Sequence, residues 1–255
     1  MAKAKKQANI VWERAQDAFP AATLFGTKIT PEDINQGFIG NCWFMSSCAA
    51  LAELGDRIEK VFLNKTNEQN KAGIYGVNMY RLGVPATLVI DDFLPIRKSP
   101  TGGSMTLFAS IGEDASLWGP FIEKSLAKFH GNYENIIAGR ASVGVRTLSG
   151  APYQETYHKE PNAPDQLFED ILKWDGKKAI MQAGTNASSN GKSKAENGIY
   201  YGHEYTVYSA HKLKSGQRLV RLRNPHGKDS YTGKWNDNDD ESWNRLASQK
   251  ERMKL

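Results

Sequence analysis

The chain has no apolar run near the roughly 18 residues a membrane-crossing helix requires. Its first ten residues, MAKAKKQANI, carry lysines but no apolar segment behind them of the kind a secretory signal needs. A soluble, cytoplasmic protein without a membrane-spanning segment is therefore expected. Cysteine is scarce as well. Cys42 and Cys48 are the only two, and six residues apart on one helix they would point to different faces and could not bridge. They form neither a CxxC zinc pair nor a redox pair, which agrees with a reducing compartment. There is no internal repeat, and no basic stripe interleaved with aromatics. The net charge of +5 is spread along the chain apart from Lys3, Lys5 and Lys6, so a solvated surface is expected rather than a nucleic-acid partner. Nothing calls for an organic cofactor. What is present is an ordinary globular composition, 40% hydrophobic and 24% charged over 255 residues. That is enough for one large domain or two lobes, each with its own core.

The most informative stretch is Asp33 to Leu54, DINQGFIGNCWFMSSCAALAEL. Gly37 and Gly40, with polar Asn35, Gln36 and Asn41 around them, predict an irregular entry. From Cys42 to Leu54 there is no Pro or Gly, so a helix is predicted, with Asn41 as its cap and Gly55 as its stop. Cys42 then stands at the first helical position, against the positive end of the helix dipole, where a thiol is more readily ionised. The alternative is that Cys42 is a small buried residue that happens to follow a cap.

Around this stretch, residues 1–32 read as an N-terminal leader with a short helix near Ile10–Ala18. A second helical piece is expected at Asp56–Leu63 and a hairpin at Gly73–Tyr80 and Ala86–Ile90. VIDDFLP reads as a strand end meeting a loop at Arg97–Ser104. Leu117–Phe129 has helical spacing, with Trp118, Phe121, Ile122, Leu126 and Phe129 on one side as core. Residues 33–149 thus form a helix-rich lobe. Gly144, Ser149, Gly150 and Pro152 read as a hinge into a β-rich lobe, 150–255, with a helix at Asp165–Trp174, a strand at Ala179–Ala183 and a mobile loop at Asn186–Asn197.

Near the end, HEYTVYS and VRLRN alternate as strands joined by the turn-like HKLKSGQ. A turn centred between Leu213 and Lys214 would set Val207 opposite Val220, Tyr205 opposite Leu222 and His203 opposite Asn224. Asn224 could then accept from the His203 ring and fix its tautomer, leaving the other nitrogen for a thiol. His130, His158, His211 and His226 compete for that role. His203 alone follows a glycine and opens an inward row that is otherwise apolar. The order Cys42, then His203 and Asn224 well over a hundred residues later, is that of papain-like proteases.

These residues also carry a family resemblance. Asp33, Ile34, Gln36, Gly37, Gly40, Cys42 and Trp43 resemble the cysteine box of the calpains, papain-like intracellular cysteine proteases. Asp91, Asp92, Leu94 and Pro95 resemble the family's DD-x-LP, and Trp118, Glu123, Lys124, Ala127, Lys128, Gly131 and Tyr133 its W-x4-EK-x2-AK-x2-G-x-Y. Gly202, His203, Tyr205 and Val207 resemble G-H-x-Y-x-V, and Arg221, Arg223, Asn224, Pro225 and Gly227 resemble R-x-RNP-x-G. Trp235, Asn236 and Asp237 resemble the WND that follows, with Tyr231 where an earlier Trp stands.

The resemblance implies an α+β, papain-like two-lobe core with a cleft between the lobes. It also implies a Cys42–His203–Asn224 endopeptidase acting on polypeptide substrates. Gln36 and the Cys42 amide would form the oxyanion hole, and Gly202 and Trp43 would bind substrate. It further implies calcium, with Asp33 and Asp237 as ligands. Ser116 and Ser230 stand where acidic partners are expected, however, and Glu113 and Asp114 lie near the first. The run Asp237, Asp239, Asp240, Glu241 resembles an EF-hand start but has no glycine at the sixth place. His226 replaces a Trp that would shield the His–Asn bond, and Asn41 replaces an Asp. The resemblance leads us to expect further domains in a longer parent chain. Two other readings remain: an inactive calpain-like scaffold, and a papain-like acyl transferase, which commonly has Asp where Asn224 stands.

Overall fold

The computed structural model describes residues 9–157 and 164–244, so Lys3, Lys5, Lys6 and His158 lie outside the described residues. The chain divides into two compact units, residues 1–154 with 225–227, and residues 155–224 with 228–255. Helices and antiparallel sheets make up both, an α+β architecture.

The first unit is built around helix α2, Cys42–Ala52, in which every residue from Trp43 onward is buried. A helix with no solvent face can be apolar or small all round, and FMSSCAALA is. The helix stops at Ala52, short of the expected Leu54. Gly55, expected to terminate it, instead opens helix α3, Gly55–Val61, after an extended Leu54. Helix α5, Ala141–Ser149, packs on α2, and Gly144 lies inside it rather than in a hinge. A Cβ at Gly144 would stand 2.3 Å from Ser47 Oγ and 3.0 Å from the Trp43 carbonyl, so the close approach of the two helices needs glycine. Helix α5 ends at Gly150, whose φ of +69° is the left-handed cap that glycine supplies.

Two sheets flank these helices. The expected hairpin is present as β2, Ile74–Arg81, and β3, Val84–Asp91. The second sheet is one that sequence patterning missed. Strand β1, Ile10–Arg14, stands where a helix was expected, and only Ala15–Ala18 (α1) is helical. It pairs with β4, Phe93–Lys98, which pairs in turn with β5, Ser104–Thr106. The Ile, Val and Trp of β1 suit a pleated surface once a partner exists, and the Arg14 guanidinium donates to buried Asp92 at 3.0 Å. Pro95 sits inside β4, the central strand, and a proline there hides a strand from pattern reading. Helix α4, Trp118–His130, buries Trp118, Phe121, Ile122 and Leu126 as expected, leaving Phe129 half-buried.

In the second unit, helix α6 spans Pro164–Gly176, and β6, Gln182–Gly184, begins later than the strand expected at 179–183. Strand β6 pairs with β7, Glu204–Lys212, and β7 with β8, Arg218–Arg223. A short helix, α7, covers Asp240–Asn244.

The β7–β8 register corrects the sequence reading. Val207 pairs with Leu222, not Val220, and past a bulge between Val207 and Ser209 the pairs are Ala210 with Val220 and Lys212 with Arg218. Strand β7 runs further into HKLKSGQ than expected and the turn is centred later, closing through Leu213 N–H on the Gln217 carbonyl at 2.8 Å, with Gly216 at φ +92°. A shift of two residues keeps each side chain on its face, whereas a shift of one would have inverted the strand. His203 and Asn224 therefore stay on a common face as diagonal neighbours. Val220 and Leu222, placed on that face by alternation, are exposed at the sheet edge.

Candidate active site

The turn Asn35–Asn41 has no regular structure, and backbone contacts fix its shape. Ser110 N–H donates to the Asn35 carbonyl at 2.9 Å, Phe38 N–H to that of Leu107 at 3.3 Å, and Gln36 N–H to that of Pro225 at 2.7 Å. Gly37 lies so close to the Phe108 carbonyl that a Cβ would stand 2.0 Å from its oxygen, so no other residue fits without moving backbone. Gln36 Nε2 donates to the Ile39 carbonyl at 2.6 Å, while Gln36 Oε1 is buried without a partner.

Cys42 follows as the first residue of α2 and is part-exposed, whereas Cys48 is fully buried. Burial pushes the Cys48 thiol well up, and the nearby Glu123 carboxylate pushes it further, so Cys48 is inert. Cys42 is the thiol of the pair that reagents can reach, at a helix end whose first amides have no acceptor within the helix.

Asn41 occupies the N-cap position but does not cap with its side chain, as had been expected. Its Nδ2 instead donates to Glu123 Oε1 at 2.7 Å in the interior. A cap would use Asn41 Oδ1 as acceptor; here the side chain is turned inward instead, where a buried carboxylate is a strong acceptor for its Nδ2–H. Trp43 is buried, its indole N–H donating to the Ile136 carbonyl at 3.0 Å and its ring against Gly139, so it packs in the core of the first unit.

In the second unit, His203 is 7% and Asn224 9% exposed. His203 Nε2 and Asn224 Oδ1 stand 2.9 Å apart, and Asn224 Nδ2 donates to the Lys228 carbonyl at 3.3 Å. Since Asn224 Oδ1 can only accept, it holds the Nε2–H form of the ring. The His203 backbone is pinned through Thr185, whose Oγ1 accepts its N–H at 3.0 Å. Tyr200 and Tyr205 flank the ring, at centroid distances of 5.4 and 5.1 Å. Burial lowers the pKa of His203 and the Asn224 hydrogen bond raises it, with burial winning, so the ring is neutral at pH 7. Gly202 precedes it at φ +56° and is exposed. His226 is half-buried.

A residue that sequence reading left as one letter of a motif is Glu123, 1% exposed on α4. Burial lifts its carboxyl to about 7, against the pull of the Ala109 N–H and Asn41 Nδ2. Glu123 lies beside the apolar stripe of α4, next to Leu126, and not within it, so the helical period gave no sign of its burial.

For calcium, the first-site residues provide a donor set. The position a Cβ would take at Gly112 is 2.2 Å from Ser116 Oγ, 2.8 Å from Asp33 Oδ1 and 3.1 Å from Asp114 Oδ1. Ser116 Oγ is buried with no hydrogen-bond partner. Burial raises the Asp33 pKa, and Asp114 adds to the rise. Oxygens are the donors calcium takes, but Asp114 Oδ2 already accepts from the Thr27 and Lys28 N–H groups and its Oδ1 from the Ser116 N–H, so an ion would compete with these donors for it. The second site differs. Ser230 Oγ donates to the Gly198 carbonyl, and Asp239 accepts from the Trp235 and Ser242 N–H groups. Among the described residues no group of three or more His, Cys, Asp or Glu side chains could hold a metal.

The sequence as a whole decides the lineage. The calpain family cysteine protease domain matches residues 1–255. The chain belongs to the calpain family. It is 30% identical over 276 residues to Calpain-5 of Caenorhabditis elegans, covering 96% of this chain and 42% of that protein. It is 31% identical over 255 residues to the Calpain-2 catalytic subunit of Homo sapiens, covering 97% and 35%. It is 32% identical over 244 residues to the calpain-type cysteine protease DEK1 of Arabidopsis thaliana, covering 93% and 11%. The chain thus spans well under half the length of these calpains, and its mixed helices and antiparallel sheets are those of the papain-like calpain protease core. No described helix is long and apolar enough to cross a membrane.

Proposed function

We propose that this calpain-family domain is a cytoplasmic cysteine endopeptidase that cleaves polypeptides through Cys42, His203 and Asn224. The observation that carries the reading is the buried His203–Asn224 hydrogen bond of 2.9 Å. It fixes the imidazole with Nε2 engaged and assigns proton exchange to Nδ1. In this reading the Cys42 thiol passes its proton to His203 Nδ1, and the thiolate adds to the peptide carbonyl. The tetrahedral oxyanion takes hydrogen bonds from the Cys42 N–H and from the second N–H of Gln36 Nε2, the first being used by Ile39. The imidazolium then protonates the leaving amine. Water, deprotonated by the neutral ring, releases the acyl group and restores the thiol.

Calcium, when bound, would supply positive charge that draws the Asp33, Asp114 and Ser116 oxygens together. Asp33 stands two residues before the turn that leads to Cys42, its Oδ2 accepting from Thr30 N–H at 2.8 Å and Trp118 Nε1–H at 3.1 Å.

A second reading, an inactive scaffold, draws on Gln36, whose amide is already bonded to Ile39 and whose Oε1 is buried without a partner. An epoxide cysteine trap with peptide mass mapping decides between them. Rapid modification of Cys42 over Cys48, lost in His203→Ala, together with peptide cleavage, supports the enzyme. Slow labelling of Cys42 that His203→Ala does not change supports the scaffold and ends the proposal.

A further inference from the structure

Glu123 is a carboxylate placed where a carboxylate is costly. It is 1% exposed, beside Leu126 on a helix whose residues from Trp118 to Glu123 are all buried. Its hydrogen bonds come from neutral donors, Asn41 Nδ2 to Oε1 at 2.7 Å and the Ala109 N–H to Oε2 at 2.8 Å. A hydrophobic residue of this size would avoid the desolvation that a buried anion incurs. What the carboxylate gains is position. Asn41 immediately precedes Cys42. Ala109 belongs to the segment 107–110 that holds the start of the same turn, through Leu107 to Phe38, the Phe108 carbonyl against Gly37, and Ser110 to Asn35. One carboxylate therefore ties together both ends of the turn that carries Gln36 and delivers Cys42.

We propose that Glu123 is a positioning residue for the cysteine helix, clamping Asn41 to the 107–110 segment and loosening that clamp when it takes up a proton. The proposal rests on the endopeptidase reading for its kinetic consequence, but the clamp itself lies within the first unit. The two bonds, one to each oxygen, match the ionised form. A proton on either oxygen would face a donor. Asn41 Oδ1 is buried without a partner, so rotating the Asn41 amide by half a turn would present that oxygen to a protonated carboxyl. The arrangement thus has two states that differ by a proton and an amide orientation, and the protonated one leaves the Asn41 Nδ2–H groups without the carboxylate oxygen they donate to, which is the loosening. The titratable groups facing Glu123 are the Cys48 thiol on α2 and the Tyr133 phenol beyond α4. Burial pushes both well up, so neither is charged at neutral pH. The carboxyl itself titrates at about 7, within the working range of an enzyme.

The test uses the full chain and reads the thiol before it reads catalysis. Alkylation of Cys42 by iodoacetamide is followed from pH 5 to 9 by mass mapping, in a His203→Ala background that removes the imidazole's own titration. The expected profile has an inflection near pH 7 besides the thiol's, and Glu123→Gln abolishes it. With His203 present, Glu123→Leu lowers kcat on a fluorogenic peptide by roughly tenfold to a hundredfold, the scale of a small misplacement, and leaves KM within about twofold. Glu123→Gln recovers most of that loss at pH 7.5. An inflection that survives Glu123→Gln, or parental kcat in Glu123→Leu, overturns the proposal. If Glu123→Leu does not fold, the Glu123→Gln profile decides alone. If the parent chain cleaves no peptide, the endopeptidase reading fails while the alkylation profile still reports on the clamp.

Discussion

The buried carboxyl of Glu123 makes a quantitative prediction about stability. In the unfolded chain a glutamate titrates near 4.3, and in the fold burial lifts Glu123 to about 7. Between those values the folded state holds a proton that the unfolded state has released, so folding is favoured by acid there. The contribution is complete below the unfolded pKa, falls as pH rises through 7, and is gone above it. At about 1.4 kcal/mol per unit, the full swing is about 4 kcal/mol. Replacement by glutamine keeps the shape and removes the titration. Its Oε1 can accept from the Ala109 N–H while its Nε2 donates to a rotated Asn41 Oδ1, so the number of side-chain hydrogen bonds at the position is kept, with Asn41 Nδ2 in place of Oδ1 as the unpaired end.

The assay is urea unfolding followed by tryptophan fluorescence from pH 5 to 8, with buried Trp43 and Trp118 as reporters in the first unit. Other groups also titrate in that range. Glu204 is lifted to about 7 by burial and by Glu155, so the informative quantity is the difference between parent and variant. That difference should grow in the variant's favour by about 3 kcal/mol between pH 5 and 8, on the order of 6–12 °C in Tm for a chain of this size. Parallel curves for the two proteins would refute the reasoning, because they would mean that Glu123 is ionised or neutral throughout.

Asn224→Ala removes the acceptor that fixes His203. It should lower kcat by at least about tenfold, part of the 10²–10⁴ that a positioned acid–base contributes. It should also move the imidazole titration further down, since that hydrogen bond raises it; NMR of the ring protons reads the shift. Gly144→Val forces a side chain against Ser47 Oγ and the Trp43 carbonyl, and should lower stability by about 1–3 kcal/mol or more in denaturant unfolding. If the Asp33, Asp114 and Ser116 oxygens take calcium, adding the ion should raise Tm. Asp114→Asn should then weaken that response, as calorimetric titration would show, whereas equal responses would exclude Asp114 as a ligand.

Much of this protein is legible in the order of its residues. The helix starting at Cys42, the hairpin of β2 and β3, the core stripe of α4 and the alternating strands around His203 follow from local period and composition, because each buries a regular face. Strands β1 and β4 do not. Their pairing joins segments some eighty residues apart, and Pro95 and a short apolar run give no local sign of it. Helix α5 was hidden by Gly144, which reads as a breaker until Ser47 is seen against it.

At the site, sequence alone proposed that a histidine and an asparagine twenty-one residues apart would meet, and the even register shift kept them on one face. What only the tertiary structure decided is where the polar atoms go. Asn41 could cap its helix or turn inward, and Gln36 could offer its amide to a ligand or to Ile39. Local spacing leaves such choices open. They are settled by whichever acceptor long-range packing brings within hydrogen-bond reach, and for Asn41 that acceptor, Glu123, lies eighty-two residues further along the chain.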